Sequence, residues 1–350
     1  MTKTRIGIVG CGNIVRNYLT NAKKFAAIEI IRLADLIEDR ATTAAKEFGI
    51  PRTGTTEQLL ADPDVDIVLN LTPPWVHAEV ALQAIEAGKH VYNEKPLSIT
   101  REDGQRVLQR AQAKGVRVGG APDTFFGAGH QTARKLIDDG AIGRPVSALA
   151  FMMGRGPDQW HPEAENFYKP GAGPMFDMGP YYVTALLNML GPVKRVSGMA
   201  GIQVPQRTIG SEPRKGQTFQ VTTPDHVVGL LEFASGAIGT LVTSFATMAT
   251  PPLPRILVCG TEGTLEVPDP NGFDGTVRIL KPGEKEWKDV PHTRAPLRPP
   301  APRQRRPVLC RPRSHARLSP GQPSERSLRT RRRLHPAGRS AARPPRRSDG

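Results

Sequence analysis

The chain has 350 residues, a hydrophobic fraction of 38% and a formal charge of +15 at pH 7. That length accommodates two cores, and no apolar run approaches the roughly 18 residues of a membrane span, which excludes a chain built on spanning helices. Nor does the charge mark a nucleic-acid binder: residues 291–350 hold seventeen Arg, no Lys and twelve Pro with only Glu325 and Asp349 as acids, leaving 31 charges of each sign in the first 290.

The start Met1-Thr2-Lys3-Thr4-Arg5 enters strand at once, too briefly for a signal peptide, and Cys11, Cys259 and Cys310 follow no metal-ligand spacing. A reducing cytoplasm is the expected setting. Arg5-Ile6-Gly7-Ile8-Val9 is a short apolar run of the kind buried in a parallel sheet. Gly10-Cys11-Gly12-Asn13-Ile14-Val15 follows it directly: the first glycine allows a tight turn, and the second lets backbone approach a pyrophosphate at the next helix start. Val15 stands at the third glycine position of that fingerprint. A second strand, Glu29 to Ala34, ends in Asp35, 23 residues beyond Gly12. An acid about 20 residues on reaches the adenosine ribose hydroxyls, and its charge repels a 2′-phosphate, so NAD is expected rather than NADP. An acid there also suits a cap on the following helix.

Gly49 closes that helix, a short one spans Thr56 to Leu60, and Val65 to Leu71 reads as the next buried strand. Thr72-Pro73-Pro74 breaks the pattern where a loop can lie against a cofactor, and His77 opens an amphipathic helix ending near Gly88. Lys89 to Asn93 is a strand that delivers Glu94-Lys95-Pro96; a helix over 101–114 and a strand from Val116 to Gly119 complete a doubly wound parallel α/β sheet of Rossmann type. Open sheets of this class bind ligands at the carboxyl ends of their strands. That makes Lys95 the first candidate for chemistry, against the alternative of a solvated turn.

Gly10-Cys11-Gly12-Asn13-Ile14, Asp35, Thr72-Pro73-Pro74 with His77, and Glu94-Lys95-Pro96, in this order, resemble the glucose-fructose oxidoreductase and inositol dehydrogenase family, Gfo/Idh/MocA. The resemblance implies an NAD(P)-dependent oxidoreductase acting on a hydroxyl-bearing carbon of a sugar, cyclitol or derivative. Lys95 would be the catalytic acid/base beside the nicotinamide, positioned by Glu94, with Gly10, Gly12, Asn13, Ile14, Asp35, Thr72, Pro73 and His77 on the cofactor. It also implies an α+β second domain with a large, mostly antiparallel open sheet. One sheet face closes the site and the other pairs subunits into a homo-oligomer.

Beyond Ala121 a helix over 129–139 precedes a run of strands: Val146 to Met153, Val193 to Val204, Phe219 to Thr223, His226 to Phe233, Ala237 to Phe245, Arg255 to Val258 and Thr276 to Leu280. One helix, Pro174 to Leu190, interrupts them and carries Asp177 and Tyr181 four apart, on one face if it has begun by Asp177. Relatives often have Asp and His there, so the resemblance assigns both to the substrate oxygen, with Tyr181 in place of the histidine. Trp160-His161 and Tyr168-Lys169 lie in a loop mixing rings with hydrogen-bonding groups, as sugar recognition favours, and are the substrate-side candidates; a loop merely anchored by its aromatics is the alternative.

The expected division is a nucleotide domain over 1–122, a substrate and oligomerisation domain over 123–290, and a disordered Arg/Pro-rich tail over 291–350. The tail has the composition of a shifted reading frame in high-GC sequence, with an evolved basic arm as the alternative. A non-catalytic nucleotide-binding protein, or a damaged family member, is the second reading of the whole. No metal, membrane or nucleic-acid partner is expected.

Overall fold

The computed structural model describes residues 3–250 and 252–293. Six parallel strands form the first sheet: β1 (Thr4–Val9), β2 (Ile28–Ala34), β3 (Arg52–Gly54), β4 (Ile67–Asn70), β5 (His90–Asn93) and β6 (Val118–Gly120), in the order β3-β2-β1-β4-β5-β6. Helices α1 (Val15–Ala22), α2 (Glu38–Phe48), α3 (Thr56–Leu60), α4 (His77–Glu86) and α5 (Arg101–Lys114) make the crossovers. Successive residues of β1 serve opposite faces. Ile8 packs with Leu19 and Ala41 on one side, and Val9 with Ile85 and Val107 on the other. A strand covered on both faces must be apolar throughout, which is why these strands read as unbroken runs. Strand β3, three residues containing Arg and Gly, has no such run and was not expected.

The strand order reverses direction between β1 and β4. In open α/β sheets the crevice at that reversal is where ligands enter. Gly10 after β1, Thr72 after β4 and Glu94 after β5 therefore meet at one edge.

The second sheet has eight strands: β7 (Pro145–Met153), β8 (Val193–Gly201), β11 (His226–Phe233), β12 (Ile238–Ser244), β13 (Ile256–Gly260), β14 (Gly263–Val267), β15 (Val277–Leu280) and β16 (Lys288–Val290), ordered β16-β15-β14-β13-β7-β12-β11-β8. All neighbours are antiparallel except β7 and β12. A small hairpin of β9 (Gln206–Thr208) and β10 (Thr218–Gln220) stands apart. Helices α6 (Ala128–Asp138) and α8 (Gly179–Leu190) pack their apolar sides on one face, where Ala133, Tyr182 and Leu186 meet Ala148, Phe233 and Val258. Each large side chain fully buried there contributes ~1.5–3 kcal/mol of transfer free energy.

Three expectations need correction. The strand from Val193 stops at Gly201 rather than Val204. Strands β9, β14 and β16 were not foreseen; for β14, Glu262-Gly263 reads as a turn although Gly263 already pairs with Gly260. The single helix over 174–190 is two, α7 (Gly173–Asp177) and α8, with Met178 between them. Pro180 lacks the N–H that a continuing helix would use and instead suits the first turn of a new one. The expected tail lies, from residue 294 on, outside the described residues. No helix among the described residues is long and apolar enough to cross a membrane.

Candidate active site

The glycine turn is shaped for close approach. Gly10 has φ 98°, and a Cβ there would stand 2.7 Å from the Leu71 carbonyl oxygen, so both conformation and space demand glycine. A Cβ on Gly12 would meet nothing within 4 Å, so that turn faces open space. Helix α1 begins just beyond it with no side chain capping Ile14, so its amino end stays open to an anion such as a pyrophosphate. Val15, at the third glycine position, is buried in the core beneath.

Asp35 ties the turn to the end of β2. Its carboxylate accepts from the Cys11 N–H at 2.6 Å and from the Ile37 N–H at 2.8 Å, so it anchors the loop. Burial, helped by the Asp35 charge, pushes the Cys11 thiol up to about 12, which keeps it an inert packing group.

A buried polar latch joins the loops after β4 and β5. Asn70, fully buried, donates to Asn93 Oδ1 at 3.0 Å and to the His77 carbonyl at 3.1 Å, and accepts from the Thr72 hydroxyl at 2.6 Å. Asn93 in turn donates to the Leu97 carbonyl at 3.2 Å. His77 is 1% exposed, with its ring nitrogens 2.7 Å from the carbonyl oxygens of Pro96 and Thr72. The expectation that His77 touches cofactor is thereby corrected: both nitrogens are spent on backbone. Asn70 and Asn93 were not singled out, since an asparagine at a strand end looks like ordinary turn chemistry.

Lys95 is poised where β5 delivers it. Its ammonium donates to Asp177 Oδ1 at 2.6 Å and to the Asp177 carbonyl at 2.7 Å, bridging the two sheets' domains through side chains only 16% and 22% exposed. Glu94 accepts from the Lys95 backbone N–H at 2.8 Å through one oxygen and from the Tyr18 hydroxyl at 2.7 Å through the other. Tyr181 stands behind the lysine, its ring centre 5.3 Å from the ammonium, and does not line the cleft. Burial first, then the charges of Glu94 and Asp177, push its phenol well above the ordinary range, so it is a neutral buttress. The break at Met178 explains the arrangement, because Asp177 and Tyr181 no longer share one helix face.

The cleft itself has a volume of about 250 Å³ and is lined by Asn13, Pro73, Lys95, His161, Phe176 and Asp177 among others. A larger hollow of about 590 Å³ beside Arg32 and Arg52 offers little chemistry, because both guanidinium groups already pair with Asp62 at 3.1 and 3.0 Å. On the substrate side, His161 stacks edge-on against Phe167 with ring centres 4.9 Å apart, and both line the cleft. Three other candidates do not. Tyr168 is fully buried, its hydroxyl on Asp158 at 2.6 Å and its ring under Arg207 in a small core. Trp160 is 66% exposed outside the cleft, and Lys169 bonds Asn166 at 2.9 Å on the surface. A loop of two single-turn 3-10 helices needs its own core, and Tyr168 supplies it.

Comparison with known proteins agrees with this fold. Residues 4–121 match the family model for an oxidoreductase family with an NAD-binding Rossmann fold, and residues 130–266 that for the Gfo/Idh/MocA C-terminal domain. A 1,5-anhydro-D-fructose reductase of Ensifer adhaerens is 36% identical over 148 residues, which make up 42% of this chain and 44% of that protein; the match thus spans less than half of that relative. The scyllo-inositol 2-dehydrogenase (NAD(+)) of Bacillus subtilis (strain 168) is 27% identical over 282 residues, 79% of this chain and 75% of the relative. An NAD binding oxidoreductase from Klebsiella pneumoniae superposes with a TM-score of 0.69 at 26% identity, covering 83% of this chain and 80% of its own. With both of its domains matched and its glycine turn open at the sheet's switch point, the chain belongs to the Gfo/Idh/MocA oxidoreductases and carries their NAD-binding Rossmann domain.

Proposed function

We propose that the chain is an NAD-dependent dehydrogenase that oxidises a secondary alcohol of an uncharged sugar or cyclitol. The observation that carries this reading is the Lys95–Asp177 pair, 2.6 Å apart at the strand edge that faces the glycine turn. When bound, NAD supplies the hydride acceptor. As the alcohol carbon loses its hydride, the hydroxyl proton passes to the Lys95 amine while the lysine's own proton passes to Asp177 and on to water. Glu94 fixes the lysine's backbone, Tyr181 its side chain. Residues 1–122 would thus hold the cofactor and 123–290 the substrate.

The anionic carboxylate of Asp35 favours NAD over NADP, since a 2′-phosphate would bring like charge beside it. The cleft's rings, His161, Phe167 and Phe176, suit the apolar faces of a sugar, and Asn166 its hydroxyls. Lys95 is already paired, and the remaining charge on the lining is Glu163, so phosphorylated or carboxylated sugars are disfavoured. The named substrates of the two relatives, 1,5-anhydro-D-fructose and scyllo-inositol, are uncharged polyols of this class. Met199, Leu230 and Ile238, exposed on the second sheet, offer a face for a second copy of the chain. A reducing cytoplasm suits its free Cys11 and Cys259.

The test is Lys95→Met. Turnover of polyols with NAD should fall by about 10²- to 10⁴-fold while NAD binding, measured by calorimetry, is unchanged. Retained turnover removes Lys95 from the chemistry. A wild-type chain that binds NAD but reduces it with no polyol favours the alternative of a non-catalytic nucleotide-binding protein.

A further inference from the structure

We infer that Tyr18 is a positioning residue that sets the orientation of Lys95 from the helix behind the glycine turn, acting through Glu94. This rests on the role proposed for Lys95. Tyr18 lies on α1, whose amino end faces the place for a pyrophosphate, while Glu94 and Lys95 lie 76 and 77 residues further on, beyond β5. One hydrogen bond of 2.7 Å joins the two elements, from the Tyr18 hydroxyl to Glu94 Oε1. The second carboxylate oxygen takes the Lys95 N–H at 2.8 Å, so both oxygens are engaged and the carboxylate plane is fixed. From that backbone the Lys95 side chain extends to Asp177 at 2.6 Å. The series of contacts runs unbroken from the cofactor helix to the proposed proton-transfer pair.

Physical chemistry gives the tyrosine its function. Burial first, then the Glu94 charge, push the Tyr18 phenol far up, so it stays a donor at every working pH. Without that donor, Glu94 Oε1 would be left unpaired in a partly buried site whose neighbour Asp123 is made harder to ionise by burial and, less, by the Glu94 charge. A carboxylate so placed rotates toward solvent and draws away the group that fixes the Lys95 amide. Tyr18 touches neither substrate nor the reacting atoms, and Tyr18→Phe removes one oxygen while preserving the ring that packs against the α1 core.

Two measurements on the full chain test the inference. By hydrogen–deuterium exchange without cofactor, the amides of Asn93, Glu94, Lys95 and Leu97 should exchange faster in Tyr18→Phe while those of β1 are unchanged. In steady-state assays at saturating NAD, kcat should fall by about 10- to 100-fold, the scale of a small misplacement of a reacting group, with the Kd for NAD within about twofold of wild type. In a Glu94→Ala background the same substitution should add nothing further to either readout. Unchanged exchange at 93–97 overturns the inference, as does a Tyr18→Phe effect that multiplies onto that of Glu94→Ala. Should wild type turn over no polyol, the functional reading fails, and the exchange arm alone still decides whether Tyr18 orders the Lys95 backbone.

Discussion

Asp123 carries a carboxyl that folding makes harder to ionise, through burial first and the Glu94 charge second. The sign matters for stability. A carboxyl whose folded pKa lies above its unfolded value near 3.9 stabilises the fold fully only below that value, and the contribution is lost as pH rises through the folded pKa. At neutral pH the protein therefore bears the cost of a desolvated charge. Asp123→Asn should raise the Tm at pH 7 and lose that advantage as the pH approaches about 4; a lower Tm at pH 7, by scanning fluorimetry, would show instead that the charge is satisfied. At this scale the sequence was readable where a residue acts on its neighbours in the chain. Gly10, Asp35 and Lys95 stand out by motif, and the structure puts each at the sheet's switch edge. Tyr18 does not stand out, because its partner is 76 residues away and nothing local marks a tyrosine in a helix as a positioning group. His77 misled for the same reason: the carbonyl oxygens that occupy its ring belong to loops whose meeting only the fold determines.

Among the elements, the loop between β7 and α7 is tied to the sheet by one buried side chain. Arg207, 2% exposed, donates to Asp158 and the Arg155 carbonyl on the loop, and to Asp225 and the Phe245 carbonyl at the sheet. Asp225, fully buried, also takes the N–H groups of Gln203 and Val204. Arg207→Met would leave two carboxylates buried without their counter-charge, and removing one partner of such a cluster costs about 3–5 kcal/mol. Urea unfolding should show a loss of that size; a loss under about 1 kcal/mol would mean that water or rearrangement replaces the guanidinium. Apart from β3, the first sheet's strands were legible because buried parallel strands are apolar runs closed by turns. The split between α7 and α8 had its signal in Gly179-Pro180, outweighed by apolar residues continuing on both sides. Nothing comparable announced the Arg207 cluster, whose members come from four separate segments.

At the scale of the molecule, the helices among the described residues cover one face of the second sheet only. Register places Val228 and Leu230 of β11 beside Met199 and Ser197 of β8 and beside Val242 and Thr240 of β12, all turned away from the helices, with Phe151 of β7 next in line. Met199 is 84% exposed and Leu230 52%, an exposed apolar strip of the kind on which the proposed second copy would sit. The paired change Met199→Lys and Leu230→Lys should convert an oligomeric wild type to monomer in sedimentation velocity with the far-ultraviolet circular dichroism unchanged; a monomeric wild type at tens of micromolar would dispose of the proposal. The same sheet has a temporal consequence. Its middle strand, β7, is the first of the eight to be synthesised, and its two flanks are β12 and β13, about 90 to 110 residues further along. A nascent chain leaving the ribosome therefore exposes both hydrogen-bonding edges of β7 for the several seconds that translating those residues takes.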